Sequence, residues 1–321
     1  MIMLILLFGC IGCSSCTPSI PLDDNSKKDD NQNNTDSAQD SASDSAIVDT
    51  APIPPCPVME EEPNGDYDRA QSVPMEQWIC GDFYESSQAA ADLDVFVFET
   101  IEDGWVKAWA RGQDLGSSAD LMLTLKQNNE SALSTFHLSS TDPMLVVPVS
   151  GETITYVAIQ EQFNDFGDNQ FYEALFTSIK NPVEYNGTED ENQESATEDN
   201  NGLYRAQSLT SGDRIFGTIS SNFDRDWYSV DLEDNERIEI NFEANTLGSP
   251  VDLVVSLYSP ATFDDPTIEA VKIRNNGLLG NSFDPRLVHT SDEAGTWGIL
   301  VESYTSTGSD FYWYVMDVVV E

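Results

Sequence analysis

The segments Arg69-Ala70-Gln71-Ser72 and Arg205-Ala206-Gln207-Ser208 are two copies of one motif, and the same landmarks follow each copy. A glycine stands at the same distance after each alanine, as Gly81 and Gly217, and an Asp-x-Asp pair then opens an alternating segment. Landmarks that recur in one order and spacing are typical of a structural unit used more than once. The chain is therefore predicted to carry two homologous domains in tandem.

Each copy continues as short runs in which apolar and polar residues alternate, separated by Gly, Asn, Asp and Ser. In the second copy, Ile238, Ile240 and Phe242 fall on one face of such a run, and the residues between them are polar. A period of two indicates a half-buried antiparallel strand, and about eight strands per copy suit a β-sandwich. No amphipathic helix can be placed in either copy. The predicted fold class is all-β, with two tandem antiparallel β-sandwiches.

The N-terminus is an apolar run that ends in Gly9-Cys10. The run is shorter than the roughly 20 residues needed to cross a bilayer. It fits the core of a signal peptide, although the usual positive residues before the core are missing. An apolar run ending in Gly-Cys resembles a bacterial lipoprotein signal, in which the cysteine is lipidated and becomes the mature N-terminus. Cys10 is the predicted lipidation site, Cys13 and Cys16 are competitors, and the alternative is an ordinary cleaved signal.

Composition divides the chain into five segments. Residues 17–55 are mainly Asp, Ser, Asn, Thr and Pro. They cannot bury enough apolar surface to offset the entropy of ordering, so a disordered tether is predicted. A second acidic stretch separates the two copies. The predicted boundaries are 1–16 for the lipoprotein signal, 17–55 for the tether, 56–182 for the first module, 183–195 for an acidic linker and 196–321 for the second module.

The chain is strongly acidic, with 57 acidic and 14 basic side chains among 321 residues and a formal net charge of −43. Nucleic-acid binding needs clustered Lys and Arg, and docking to anionic headgroups needs a polybasic segment. The composition therefore excludes nucleic acid as a partner and leaves the lipid anchor as the predicted contact with a membrane. It favours divalent cations, and it is also typical of a soluble secreted protein. We expect a monomer.

The ordered set of Glu-x-Asn, Ala, Gly and Asp-x-Asp before a run of strands resembles the bacterial pre-peptidase C-terminal domain. That domain is related to the collagen-binding domains of clostridial collagenases. Both copies match, over residues 60–180 and 196–321 approximately. The resemblance implies a jelly-roll-like β-sandwich, appended to secreted proteases or envelope proteins, that binds or assists export and folding. It implies no catalytic role.

The collagen-binding relatives hold calcium between the segment before the first strand and the loop that carries Asp-x-Asp. The resemblance places the matching ligands at Glu60, Glu62, Asn64 and Asp94 in the first copy, and at Glu198, Asn200 and Asp226 in the second. Further aspartates stand close to each set, at Asp66, Asp92 and Asp224. Ca²⁺ takes about six to eight oxygen ligands from carboxylates, amides and carbonyls, so these residue types suit it. Calcium is the cofactor that the resemblance implies.

Both copies depart from the calcium pattern. The second copy has Ala196 where the first has Glu60. Three residues before the last aspartate, Ala91 and Phe223 supply no ligand oxygen. The alternative interpretation is that the glutamate and asparagine cap an entry turn, while Asp-x-Asp accepts hydrogen bonds from loop amides.

Two cysteines remain beyond the N-terminal group, Cys56 and Cys80. In an oxidising compartment they are predicted to pair and to join the tether to the strand around Trp78. The second copy has Phe216 where the first has Cys80, so this bridge is not part of the repeated plan. The alternative is two separate thiols, with Cys80 buried.

Aromatic residues are the candidates for a ligand surface. The six tryptophans are Trp78, Trp105, Trp109, Trp227, Trp297 and Trp313. They are candidates for a carbohydrate or peptide surface, and the alternative is packing between the sandwich layers. Tyr312-Trp313-Tyr314 places aromatic rings on both faces of its strand, so one side of that strand is expected to be exposed.

Catalytic motifs are missing from the sequence. It has two histidines, His137 and His289, with no His-Glu-x-x-His and no Gly-x-Ser-x-Gly. Ser291 and Asp292 lie near His289, but adjacency along a strand does not make a triad. Two modules and two polar segments leave no room for a protease domain.

These observations predict a non-enzymatic lipoprotein of the cell envelope, at the outer membrane or cell surface. Its two modules are predicted to bind an extracellular protein or polysaccharide. One alternative is an accessory role in export or envelope assembly, and a second is a hydrolase with an unrecognised site.

Overall fold

The computed structural model describes residues 56–83, 92–135, 140–167, 169–189, 200, 202–261, 271–275 and 283–321. The predicted signal, the lipidation site Cys10 and the tether 17–55 lie outside these residues. Among the residues that are described, no helix has the length and apolar character needed to cross a bilayer.

Strands dominate the described residues. They are β1 (Val58–Met59), β2 (Gln71–Ser72), β3 (Trp78–Asp82), β4 (Leu93–Thr100), β5 (Gly104–Arg111), β6 (Leu121–Gln127), β7 (Glu130–Ser134), β8 (Met144–Val149), β9 (Thr153–Glu161), β10 (Phe171–Ile179), β11 (Gly187–Thr188), β12 (Gln207–Ser208), β13 (Arg214–Thr218), β14 (Arg225–Leu232), β15 (Arg237–Glu243), β16 (Leu253–Tyr258), β17 (Val271–Asn275), β18 (Arg286–Thr290), β19 (Gly295–Ser303) and β20 (Trp313–Val320). Four 3₁₀ turns accompany them, at Tyr67–Arg69, Gln113–Leu115, Leu203–Arg205 and Asn245–Leu247. Along β15, Ile238, Ile240 and Phe242 are buried and the residues between them are partly exposed.

The strands form two sandwiches of the same topology. The first sandwich has sheets in the order β1-β3-β10-β5-β8 and β2-β4-β9-β6-β7, and the second has β11-β13-β20-β15-β18 and β12-β14-β19-β16-β17. Each label of the second sandwich is ten higher than its counterpart in the first. The main pairs are antiparallel, and the short edge strands β1, β2, β11 and β12 pair in parallel. The prediction of an all-β fold with two tandem sandwiches is confirmed.

The repeated Arg-Ala-Gln-Ser motif links the two sheets of each sandwich through its glutamine. Gln71, in β2, donates through Nε2 to Met59 O at 2.9 Å and accepts from Glu61 N–H at 2.9 Å. Gln207 donates in the same way to Thr188 O at 3.0 Å. Because Met59 and Thr188 lie in the edge strand of the opposite sheet, this glutamine holds the two edges together.

The second sandwich begins earlier than the sequence predicted. β11 lies inside the stretch 183–195 that was assigned to an acidic linker, and it pairs with β13, with Gly187 opposite Ile215. Glu189 N–H, just after β11, donates to Phe216 O at 2.9 Å. The segment 184–189 therefore belongs to the second sandwich, and a fragment that starts at residue 196 lacks its first strand.

The two sandwiches contact each other within one compact unit, Pro54–Glu321. Trp313 is fully buried at this contact, and its Nε1 donates to Val146 O at 2.7 Å. Val146 N–H donates in turn to Gly248 O at 2.8 Å. Apolar side chains from both sandwiches surround this pair: Trp105, Met144, Ile179, Val183, Phe216, Leu247 and Val315. The expectation of an exposed side on Tyr312-Trp313-Tyr314 is wrong, because the first sandwich covers Trp313 and Tyr314 faces its own core.

Candidate functional site

Four predicted ligands of the first sandwich come together where its two sheets meet. The carboxylate oxygens of Glu60, Glu62 and Asp94 lie within 4.8 Å of one another. Asn64 donates through Nδ2 to Glu60 Oε1 at 3.5 Å, and its N–H donates to Glu62 Oε2 at 3.1 Å. We call these four residues the carboxylate cluster.

Backbone pairing fixes the members of the carboxylate cluster in place. Glu60 follows β1, and its N–H donates to Cys80 O in β3 at 2.9 Å. Asp94 lies in β4, and the N–H of its neighbour Val95 donates to Asn64 O at 3.2 Å. The edge strand of one sheet and an inner strand of the other therefore present their carboxyl groups to the same point.

The cluster has buried oxygen atoms that lack a partner. Asn64 and Asp94 are 0% exposed. Asn64 Oδ1 and Asp94 Oδ1 have no hydrogen-bond partner in the described part of the chain. A buried polar atom in this state costs about 1–3 kcal/mol. An all-oxygen donor set with uncompensated buried acceptors fits a hard cation such as Ca²⁺.

Burial also changes the proton affinity of the cluster. Burial, and next the neighbouring Glu60 carboxylate, raise the pKa of Asp94 to about 10. Burial raises the pKa of Glu60 to about 7. Two carboxyl groups this close do not both ionise without compensation. At neutral pH the pair therefore holds protons unless a cation takes their place.

A tyrosine that sequence reasoning missed completes each site. Tyr172 donates through its hydroxyl to Asp94 Oδ2 at 2.7 Å, and Tyr314 donates to Asp226 Oδ2 at 2.6 Å. Both rings lie against the repeated glycines: a Cβ atom at Gly81 would overlap the Tyr172 ring. The same overlap would occur between Gly217 and Tyr314. The glycine therefore repeats because it makes room for the tyrosine.

The tyrosines escaped prediction because they do not keep a constant spacing. Tyr172 lies 78 residues from Asp94, whereas Tyr314 lies 88 residues from Asp226. The available signal was an aromatic residue on the last strand of each copy, paired with the strand of the repeated glycine.

In the second sandwich, Glu189 takes the place that Glu60 has in the first. Thr218 donates to Glu189 Oε1 through both N–H and Oγ1, each at 2.6 Å. At the equivalent position of the first sandwich, Asp82 N–H donates to Glu60 Oε2 at 3.2 Å. The expectation that Ala196 is the second-copy counterpart of Glu60 is wrong. The chain between β11 and Asn200 is longer than the chain between β1 and Asn64. Glu189 therefore lies farther from the asparagine along the sequence, although it has the same place in the fold as Glu60.

Two of the three ligands predicted for the second sandwich lie in the described part of the chain. Asn200 and Asp226 are 0% exposed, and Glu198 lies outside the described residues. Asn200 O accepts from Trp227 N–H at 2.8 Å, which sets Asn200 beside β14 as Asn64 is set beside β4. Among the described residues, neither side-chain atom of Asn200 has a hydrogen-bond partner. Tyr228 adds a hydroxyl 2.7 Å from that of Tyr314, where the first sandwich has Phe96.

Two of the aspartates near the predicted ligands stabilise turns. Asp66 caps the 3₁₀ turn Tyr67–Arg69 and accepts from Asp68 N–H and Arg69 N–H, each at 3.0 Å. Asp224 accepts from Ser220 N–H at 2.7 Å and from Ser220 Oγ at 3.0 Å. These two residues match the alternative interpretation, in which acidic side chains bind loop amides.

The two predicted cysteines are joined. A disulfide links Cys56 to Cys80, and their Cα atoms are 5.8 Å apart. Cys80 lies on the outward face of β3, where its Sγ is 3.9 Å from Glu173 Oε1. The start of the described chain is thereby fixed to the outward face of the β1-β3-β10-β5-β8 sheet.

That outward face carries two partly buried tryptophans. Trp78 in β3 and Trp109 in β5 are both opposite Leu175 in β10, so the three side chains form one row. The tryptophan ring centroids are 5.6 Å apart. Arg111 Cζ lies 4.1 Å from the Trp78 centroid, and Lys107 Nζ lies 5.6 Å from the Trp109 centroid. We call these five residues the tryptophan face.

The other four tryptophans have packing roles. Trp297 and Trp313 are 0% exposed. Trp105 packs at the contact between the sandwiches, with its ring centroid 5.0 Å from that of Trp313. Trp227 packs on Tyr258, with ring centroids 4.9 Å apart. The predicted aromatic surface is thus reduced to the tryptophan face.

The residues weighed for catalysis have structural contacts. Ser291 is buried; its hydroxyl donates to Glu233 O and accepts from Glu236 N–H at 3.0 Å. The His289 ring lies on Trp297, with centroids 5.0 Å apart. His137 lies outside the described residues. Ser291 therefore has its hydroxyl committed to the backbone.

No protein-family model matches the sequence, and no curated protein matches it. Similar solved structures include PliG from Aeromonas hydrophila, a periplasmic inhibitor of g-type lysozyme, at 11% identity over 36% of this chain and 96% of that chain, with a TM-score of 0.29. The pre-peptidase C-terminal domain of a Bacillus anthracis collagenase aligns at 13% identity over 35% and 93% of the two chains, with a TM-score of 0.28. Tandem CBM51 modules of a Streptococcus pneumoniae family 98 glycoside hydrolase align at 9% identity over 74% and 87%, with a TM-score of 0.21. Likenesses this low carry no conclusion about function.

Proposed function

We propose that this chain is a non-enzymatic lipoprotein of the cell envelope that binds an extracellular polymer or protein through its first sandwich. The observation that carries this proposal is the tryptophan face. Partly buried Trp78 and Trp109 form a row on the outside of a sheet, where they add nothing to the core between the layers. Aromatic side chains that combine an apolar body with a polar edge are favoured at binding surfaces.

A calcium ion in the carboxylate cluster is the second part of the proposal. Glu60, Glu62, Asn64 and Asp94 would hold it, and the ion would supply positive charge to a buried acidic site. Support comes from the buried, unpartnered oxygens of Asn64 and Asp94. Because the ligands come from two sheets, the ion would bind only the folded chain and would stabilise it.

The lipid anchor is the third part. Its basis is the apolar run that ends at Gly9-Cys10, followed by a polar tether that would hold the sandwiches away from a membrane. Mass spectrometry of the native N-terminal peptide should find acyl chains on Cys10, or failing that on Cys13. An unmodified N-terminus beyond residue 20 would contradict the anchor.

The binding function itself is tested by pull-down of the purified full-length protein. The panel contains extracellular-matrix proteins and polysaccharides, each in calcium and in EDTA. We expect retention by at least one polymer or protein, and loss of retention in the variant Trp78→Ala/Trp109→Ala. If nothing in the panel retains the folded wild-type protein, the proposed function is wrong.

A further inference from the structure

We propose that the tryptophan face binds an uncharged polysaccharide, whose sugar rings lie flat across β3, β10 and β5. This inference rests on the proposed binding function and names the class of its ligand. Three observations support it: the shape of the face, the balance of its charges and the absence of an equivalent on the second sandwich.

The face is a shallow strip. Trp78 and Trp109 lie on strands separated by β10, so their backbones are about 10 Å apart at the usual strand spacing. Their ring centroids are nevertheless 5.6 Å apart, so the rings lean toward each other over Leu175. A row of partly buried rings on the surface of a sheet lacks the enclosure that small ligands need. It suits a long chain that lies along the surface and contacts the indoles together with the cations beside them.

The cations of the face are held in position. Glu173 is only 7% exposed, and its Oε2 accepts from Arg111 Nε at 3.0 Å and from Nη2 at 2.6 Å. These bonds use two of the five guanidinium N–H donors. Arg111 is thereby fixed over Trp78 with donors to spare, and Lys107 adds its ammonium beside Trp109. Thr177, opposite Lys107, adds a hydroxyl to the same outward face.

Charge decides between ligand classes. A polyanion would meet a chain of net charge −43, and at the face itself Glu173 already offsets Arg111. A polycation would meet Arg111 and Lys107, which occupy the positions over the indole rings where a cation would stack. An uncharged polyhydroxylated chain avoids both penalties, and its hydroxyl oxygens accept from the same N–H donors.

The positions of the second sandwich that match Trp78 and Trp109 are Arg214 and Asn241. Arg214 contacts both Glu243 and Asp317, and Arg286 lies 2.7 Å from Glu239. Phe216 and Trp313 are aromatic residues on that same face, but they pack in the contact with the first sandwich. Binding is therefore assigned to the first sandwich, and each chain should bind at one place.

The experiment is native affinity electrophoresis of the full-length protein. Separate gels contain glycogen, mannan, xylan or a β-1,3-glucan as uncharged probes, alginate as an acidic probe and gelatin as a peptide probe. We expect retardation by at least one uncharged polysaccharide. Trp109→Ala and Trp78→Ala should each weaken that binding at least tenfold.

Two further variants complement the tryptophan variants. Trp227→Ala removes a half-buried tryptophan from the second sandwich and should leave retardation unchanged. Lys107→Met keeps an unbranched apolar side chain beside Trp109 but removes the N–H donor, and it should weaken binding about threefold. This variant still tests the face if a tryptophan variant fails to fold. Melting curves establish which variants are folded.

Each other outcome overturns the inference. Retardation by alginate alone, or by gelatin alone with loss in Trp109→Ala, would reject the ligand class and leave the proposed binding function standing. If an uncharged polysaccharide retards the wild-type protein, and neither the folded tryptophan variants nor Lys107→Met weaken that retardation, the tryptophan face is not the binding site. Free migration of the folded wild-type protein in every gel would reject this inference, and the wider pull-down panel then decides the proposed function separately.

Discussion

At the junction of its two sheets, the first sandwich buries Asp94 beside Tyr172 and the partly buried Glu60, whereas the second buries Asp226 beside Tyr314 and Tyr228. The scaffold is the same, down to the glycine under each tyrosine. The first site has carboxyl groups in excess of hydrogen-bond donors, and the second has an additional hydroxyl in place of Phe96. The two sites therefore differ by one hydroxyl group, while Asn64 and Asn200 are both buried with side-chain oxygens that have no partner among the described residues.

The outward faces of the two sandwiches also differ. In the first sandwich, Trp78 and Trp109 form an aromatic row, while in the second Arg237 and Arg286 both contact Glu239. Ion pairs at a surface contribute about 0–1 kcal/mol each. They keep a face soluble, whereas an aromatic row exposes apolar area that a ligand can cover. Under the proposed function, recognition therefore belongs to the first sandwich.

The largest predicted effect comes from the contact between the sandwiches. Trp313→Ala should lower the free energy of unfolding by about 3–5 kcal/mol, because a fully buried indole is lost and Val146 O loses its donor. The matched variant is Phe171→Ala at the same register of the first sandwich, where the side chain is only half-buried. We expect it to cost about 1 kcal/mol. Urea unfolding followed by circular dichroism measures both, and equal losses would show that the contact contributes nothing.

The second prediction concerns where the second sandwich begins. A fragment 184–321 contains β11 and Glu189, whereas a fragment 196–321 lacks both. The shorter fragment should be less stable by about 2–3 kcal/mol, since the Thr218 N–H loses its acceptor and β13 loses its edge partner. Melting temperatures of the two fragments check this. If they melt together, β11 is dispensable and the sequence-based boundary at 196 is adequate.

Local patterns account for what the sequence predicted well. Alternation in β15 places Ile238 and Ile240 inward whatever the rest of the chain does, so strands and fold class follow from the sequence. Glu60 and Asn64 could be matched to the motif of the resembling family because they are close in sequence. Glu189 could not, because a longer connection separates it from Asn200, and loop length is weakly constrained by closure entropy. Alternation also places Trp313 outward without indicating that another domain covers it.

The third prediction tests the cation. Millimolar calcium should raise the melting temperature of the full-length protein, by an amount that corresponds to about 2 kcal/mol when calcium exceeds its Kd about 30-fold. Asp94→Asn should abolish the shift. Asp226→Asn, its counterpart in the second sandwich, should preserve it. Calorimetry in calcium and in EDTA measures the effect, and a shift that survives Asp94→Asn but disappears in Asp226→Asn would reverse the assignment of the two sites.

The last prediction is the pH dependence of the calcium-free protein. The pKa of Glu60 is raised to about 7 and that of Asp94 to about 10, both above the values of an unfolded chain, which are about 4. The folded state therefore binds more protons than the unfolded state above pH 4.5 or so, and its stability should fall as pH rises from 5 to 8. Asp94→Asn cannot ionise, so its stability should fall less over this range. Urea midpoints in EDTA at several pH values measure the slope, and a wild-type midpoint that rises with pH would show that the cluster is ionised without a cation.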